Sequence, residues 1–270
     1  NEIILGIYSK GKNYALNVSI DSTNYRMNLT THSKPNPQNA FNFCMVLRKH
    51  LIGSTIKRIY SNGLERIIFI DLECYNELND QITKKLVIEL MGKHSNIILL
   101  NDKNIIIDSL RHLNQVDSSL RNIFPGSKYV NILSNKQDIY NIKNYEEFES
   151  IVKKYENVNS ISEILQNEFN GFGKRNLKEL FLKIGVSDSN FSAENLEKIY
   201  KYLTNFLTRL NKNLTCGLSI IQYEMQNNKK DYYTFYNETE AESTLNLNFA
   251  IDDFYYEKEN KEILKTRKNQ

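Results

Sequence analysis

The sequence is poor in cysteine and in long apolar runs, and each shortage closes off a class of protein. Its three cysteines, Cys44, Cys74 and Cys216, are widely spaced, odd in number and free of any C-x-x-C pair. Neither a disulfide framework nor a structural zinc site follows, and a reducing cytoplasm fits that usage. The longest apolar runs, such as Ile67 to Ile70 and Ile97 to Leu100, fall far short of the roughly 20 residues that a membrane-spanning helix needs. No apolar leader stands at the start, so the expectation is a soluble chain without membrane contact. The four histidines, His32, His50, His94 and His112, lack the spacing of a metal site, and there is no phosphate-binding P-loop. No metal, no cofactor and no catalytic constellation is expected, which favours a binding protein over an enzyme.

What the chain does have is an ordinary globular composition, 40% hydrophobic and 25% charged over 270 residues. That length suggests two domains. The net charge of +3 is too small to name a partner, but it is unevenly placed. Residues 1–145 carry 18 Lys/Arg against 12 Asp/Glu, a net +6, and the remainder carries 17 against 20, a net −3. Only the basic half suits a polyanion, provided its cations share a face; otherwise they are a solvated surface.

That half reads as strands. Glu2 to Tyr8 and Tyr14 to Ile20 flank the turn signal Ser9-Lys10-Gly11-Lys12-Asn13, and Tyr25 to Leu29 makes a third strand. After Pro35-Asn36-Pro37, Ala40 to Leu51 spaces Phe41 and Met45, with Val46 or Leu47, as the buried face of a helix. Further strands follow at Ile56 to Tyr60, Glu65 to Leu72, Lys85 to Met91, Asn96 to Leu100 and Ile105 to Leu110. The fold class is α+β, opening with a mainly antiparallel β domain.

Beyond residue 141 the period changes to that of helices: Tyr145 to Lys154, Ser160 to Phe169, Lys174 to Ile184 and Ala193 to Asn211. Between the second and third lies Gly171-Phe172-Gly173-Lys174-Arg175. Such a turn either offers backbone N–H groups to a phosphate at a helix N-terminus or lets two helices pack closely. A strand pair, Leu218 to Met225 and Tyr232 to Tyr236, precedes a last helix, Leu247 to Lys268, in which apolar anchors thin out while alternating charge persists, as at the start of a coiled coil. It stops at Gln270 without a cap, as though a longer helix continued.

Five ordered blocks carry a resemblance: Phe43-Cys44-Met45-Val46-Leu47-Arg48-Lys49-His50-Leu51, Gly63-Leu64-Glu65-Arg66-Ile67, Glu89-Leu90-Met91-Gly92-Lys93-His94-Ser95-Asn96-Ile97-Ile98-Leu99, Ile107-Asp108-Ser109-Leu110-Arg111-His112-Leu113, and Pro125-Gly126-Ser127-Lys128-Tyr129. Together they resemble the N-terminal part of the NFACT proteins, with M-G-K-H-S-N the most specific block. The resemblance implies a glycosylase-like domain at 1–140 that lacks roughly the first 30 residues of the family domain. It also implies a helix-hairpin-helix-type domain at 141–212, a strand pair at 213–248 packing back on the first domain, and the start of a coiled coil at 249–270. Implied partners are the large ribosomal subunit and its rRNA, carrying a stalled peptidyl-tRNA, and a tRNA, alanine tRNA in bacteria, recruited to extend the nascent chain without a message. Older family names imply instead an adhesin for fibronectin or fibrinogen.

The resemblance implies that the family's Asp-Arg pair for tRNA falls on Glu65 and Arg66; Arg66 matches, and Glu65 keeps the acidic charge on a longer arm. An arginine fork beside a carboxylate suits a phosphate or a base edge, and equally an ion pair at a hairpin. Arg48, Lys49 and His50 form either a phosphate-contacting face or a solvated helix flank. Lys93, His94 and Asn96 belong to the most specific block, where His94 either contacts RNA or fixes the turn.

Overall fold

The computed structural model describes residues 1–113, 121–131, 135–157, 159–214, 219–222, 233–234 and 245–268. They fall into two compact units, one drawn from Asn1–Ile132 with Asp252–Gln270 and the other from Leu133–Ile251. The fold is mixed α/β with antiparallel sheets.

In the first unit, β1 (Glu2–Ser9), β2 (Lys12–Ser19) and β3 (Arg26–Thr30) form an antiparallel meander. Lys10 and Gly11 both take positive φ, 49° and 78°, as a tight two-residue hairpin requires. A second sheet follows in chain order: β4 (Thr55–Ser61), β5 (Ile67–Tyr75), β6 (Gln81–Glu89), β7 (Asn96–Leu100) and β8 (Ile106–Ser109). Its central strands read as continuous apolar strings because both of their faces are covered. One face packs Ile70, Leu72, Leu86, Ile88, Ile97 and Leu99 against Leu16 and Val18 of the first sheet and Ile20 just beyond it. The outer face packs Phe69, Val87, Ile98 and Leu100 under Ile123 and Tyr129.

Helix α1 (Asn42–Leu51) closes the first core with Phe43 and Leu47, not with the expected Phe41 and Met45, which are 57% and 53% exposed. The helix begins at Asn42, so Phe41 is its N-cap and stands outside the first turn; the apolar stripe is therefore the i, i+4 pair two positions on. Strand β6 begins at Gln81 rather than Lys85, because β5 extends to Tyr75 and pairs it through to Gln81.

Helix α6 (Leu247–Lys268) also belongs here from Asp252 onward. The side chain of Asp252, almost fully buried, accepts from Asn28 Nδ2 at 2.9 Å and from the Thr31 amide at 2.8 Å. Arg26 Nη1 donates to Glu259 at 2.7 Å, and the Tyr255 ring lies 4.6 Å from the Arg26 guanidinium carbon. The His32 ring stacks on Tyr256 at 3.9 Å. The segment from Asp252 onward thus groups with the first unit, and Leu133–Ile251 with the second. Buried Arg26 and Asn28 on the polar face of the first sheet need polar partners, and α6 brings carboxylates.

The second unit is built on α2 (Tyr145–Lys153), α3 (Ile161–Glu168), α4 (Lys174–Ile184) and α5 (Ala193–Leu214). Asn144 caps α2, Ser160 and Glu163 form a capping box on α3, and Gly185, at φ 64°, ends α4. Phe148, Phe169, Leu180, Leu196 and Leu203 are buried among them. Three short strands, Ser219–Gln222, Tyr233–Thr234 and Leu245–Asn246, pair antiparallel, one more than expected; the rest of the expected pair, 223–225, 232 and 235–236, together with Leu218, lies outside the described residues.

Candidate nucleic-acid interface

One end of the five-stranded sheet collects three connections: the loop from Ile20 to Tyr25, the β4–β5 turn and the β6–β7 turn. Arg66 is exposed at the second, and its carbonyl accepts from the Leu90 amide at 2.9 Å, the last pairing before the third begins. Its Nη1 donates to the Tyr25 hydroxyl at 3.2 Å. Half-buried Glu65 precedes it, with its amide donating to Asn62 O at 3.1 Å. On the far side of Tyr25 sits a 3-10 turn, Gly92–His94. Gly92 has φ 60°, and a Cβ there would lie 3.9 Å from the Tyr25 ring, so the left-handed backbone is what calls for glycine. Lys93 and His94 are exposed on that turn. Arg66, Lys93 and His94 are thereby brought to one end of the domain with Tyr25 between them.

The M-G-K-H-S-N block now has a physical reading. Ser95 Oγ accepts from the Met91 amide at 2.9 Å and closes the turn. Asn96 is 1% exposed; its Nδ2 donates to Arg111 O at 2.8 Å and its Oδ1 accepts from the Arg111 and Ile97 amides at 2.9 Å. Asn96 therefore does not face an RNA, contrary to the sequence expectation: its hydrogen-bonding capacity is spent on the main chain. The Arg111 guanidinium completes the brace. Its Nη1 donates to Lys93 O at 3.1 Å and its Nη2 to Ile20 O at 3.0 Å, tying two of the three connections together. Asp21 shapes the first loop by accepting from the Thr23 and Asn24 amides at 2.9 and 3.0 Å.

Arg48, Lys49 and His50 stand elsewhere. They fill the last turn of α1, where cations offset the helix dipole. Arg48 and Lys49 are exposed, but His50 is half-buried and its carbonyl accepts from Lys84 Nζ at 3.4 Å. Burial, with Lys84 and Lys49 nearby, pushes the His50 imidazole below its usual pKa, so it adds no positive charge at neutral pH. Lys84 lies five residues along β6 from Glu89, which faces Ile67 at the Arg66 end. At the rise of a strand that is about 16 Å. The sequence placed these residues in one site; the structure makes two basic clusters.

In the second unit, Gly171 has φ 86° and Gly173 is the N-cap of α4, with no side-chain cap and no acidic residue in the first turn. Lys174 is exposed; the Arg175 side chain lies outside the described residues. Sequence reading missed Tyr25 and Arg111. Tyr25 read as a strand residue, and Arg111 stood in a quoted block, where an arginine following a β-strand was the available signal.

Comparison with known proteins closes the question of descent. A model of the NFACT N-terminal and middle domains matches residues 1–270. The "Rqc2 homolog RqcH" of Bacillus subtilis (strain 168) is 40% identical over 130 residues, 48% of this chain and 23% of that protein. Its namesake in Streptococcus pneumoniae D39 is 33% identical over 181 residues, 66% of this chain and 32% of that protein. The matched part thus spans about a quarter to a third of these curated relatives. Among solved structures, the N-terminal part of the fibronectin/fibrinogen-binding protein from Streptococcus suis superposes with a TM-score of 0.71 at 27% identity, covering 95% of this chain and 88% of that one. The fibrinogen binding protein from Staphylococcus aureus gives 0.70 at 26% identity, covering 94% and 87%. The family model runs the length of the chain, over the same blocks that build the Arg66 end of the sheet: the chain belongs to the NFACT family and comprises its N-terminal and middle domains.

Proposed function

We propose that this chain is the front part of a ribosome quality-control factor that binds the large ribosomal subunit holding a stalled peptidyl-tRNA and recruits alanine tRNA for template-free alanine tailing. The observation that carries it is the exposed Arg66 fork, held on Tyr25 beside Lys93 and His94. The relatives named RqcH support the pathway. In this reading Arg66 and Glu65 address a tRNA by edge and phosphate hydrogen bonds, and Lys93 and His94 take neighbouring phosphates. Arg48 and Lys49, and the Gly173-Lys174-Arg175 turn, contact rRNA backbone. The scaffold is glycosylase-like, with a helix-hairpin-helix-type module and α6 leading into a coiled coil, and the protein works in the cytoplasm as a binding factor, not an enzyme.

Affinity purification of the full-length protein from its cells, with sequencing of co-purifying RNA, tests this. Large-subunit rRNA and alanine tRNA are enriched, and Arg66→Ala lowers tRNA recovery by about tenfold to a hundredfold, the worth of a charged hydrogen bond, while rRNA stays. A second reading, an adhesin for fibronectin or fibrinogen, is favoured by the names of the two solved relatives. Absence of RNA, with saturable fibronectin binding by intact cells, would establish it instead.

A further inference from the structure

The outer face of the five-stranded sheet is covered over β6 to β8 and bare toward β4. Ile123 and Tyr129 pack over Val87, Ile98, Leu100 and Ile106, and buried Arg121 grips buried Glu89 with two hydrogen bonds at 2.5 and 2.6 Å. Toward the β4 edge, no comparable apolar cover is seen among the described residues. Tyr60 faces Phe69 across β4 and β5, with ring centroids 5.1 Å apart and planes within 21°. In the next row Arg58 faces Asp71, and Asp71 faces Lys85. The Arg58 guanidinium carbon lies 4.2 Å over the Tyr60 ring, and Lys85 Nζ is 5.8 Å from Tyr60 and 5.7 Å from Phe69. Arg58 is exposed and has no carboxylate partner among the described residues; Lys85 meets Asp71 only at 3.7 Å. Two cations against one carboxylate leave a positive charge here, whereas the next row is neutral, Lys57 pairing Glu73 at 2.9 Å.

A planar guanidinium lying on an aromatic ring presents its other face and its edge donors outward. That combination takes a flat base and its phosphate together, and pairing basic with aromatic side chains is how unpaired nucleic acid is held. The position fits as well. From Arg66 to Asp71 is five residues of β5, about 16 Å, which is about five nucleotides stacked at ~3.4 Å.

We propose that Arg58, Tyr60 and Lys85 form a second RNA contact, a ledge at the β4 edge of the sheet that holds an unpaired stretch of the same RNA that meets Arg66. The inference rests on the RNA-binding reading above and extends its surface along β4 and β5 to a place that none of the family motifs reaches.

The test is binding of the full-length protein to total bacterial tRNA across a salt series. Replacing Arg58 and Lys85 by Ala lowers the slope of log affinity against log salt by about 1.4 to 1.8, two phosphate contacts' worth. Arg58→Lys keeps the slope and lowers affinity through loss of stacking. Asp71→Asn acts in the opposite sense and tightens binding, an outcome that misfolding does not imitate. An unchanged slope in the double Ala variant, or no gain from Asp71→Asn, in a protein that Arg66→Ala still weakens, overturns the ledge and leaves the Arg66 site standing. A wild-type protein that binds no tRNA overturns both.

Discussion

The amide of Asn96 spends its hydrogen bonds on the main chain of Arg111 and Ile97, and so the most specific motif of the chain is half contact surface and half scaffold. Exposed Lys93 and His94 are available to a ligand; Ser95 and Asn96 shape the turn that displays them. Asn96→Ala leaves the Arg111 amide without its acceptor and the Arg111 carbonyl with Ser109 Oγ alone, so it lowers unfolding free energy by about 1 to 3 kcal/mol. Lys93→Ala, exposed, leaves stability within about 0.5 kcal/mol. Urea denaturation of the two variants separates the roles. His50 provides a pH test. Its folded-state pKa lies below 6.5, because burial opposes the charged ring, so the unfolded chain takes up that proton at higher pH than the folded one. Its contribution to stability is complete above the unfolded value of 6.5 and is lost as pH falls from there toward the folded pKa. His50→Gln removes that part of the acid sensitivity, seen as a smaller drop in urea midpoint between about pH 7.5 and about pH 5.5 than in wild type.

Among elements, strand and helix identities were legible because the apolar pattern and turn chemistry agree. Lys10-Gly11 makes the first hairpin, the capping residues Asn144 and Ser160 start α2 and α3, and Gly185 stops α4. The stripe of α1 was misread because the sequence offers two overlapping i, i+4 pairs, and only the N-cap position of Phe41 decides for Phe43 and Leu47. Of the candidate interface, Arg66, Lys93 and His94 were legible from their motifs. Their meeting around Tyr25 was not, since it depends on Arg111 bridging carbonyls of Ile20 and Lys93, residues 91 and 18 positions away in the chain. Nor was the distance to Arg48 and Lys49 legible, since it is set by the last turn of α1 meeting Lys84, far along β6 from Glu89. Composition separates a basic half from an acidic one, but only pairing register puts Arg58 and Lys85 on one face.

At the scale of the whole molecule, the first unit is discontinuous: α6 enters it from Asp252, after the entire second unit has been read along the chain. That returning helix is an integral part of the unit. It meets a sheet face whose buried residues, Asn17, Arg26 and Asn28, are polar, and it supplies Asp252 to Asn28 and Thr31 and Glu259 to both Arg26 and Lys34. Without α6, Asn28 and the Thr31 amide lose Asp252, and Arg26 and Lys34 keep only Glu2 of their two carboxylate partners. A chain ending at residue 132 therefore melts below the same unit in the whole chain, by about 2 to 4 °C for each kcal/mol lost in a unit of this size. Peptide 252–268 added in trans raises its melting temperature with the logarithm of peptide concentration once that exceeds Kd, as ligand linkage requires, and the same peptide carrying Asp252→Ala raises it less. Equal melting temperatures for the shortened and whole chains, followed by hydrogen exchange at the amides of the β5–β6 ladder, would show that the helix merely rests on a sheet already stable without it.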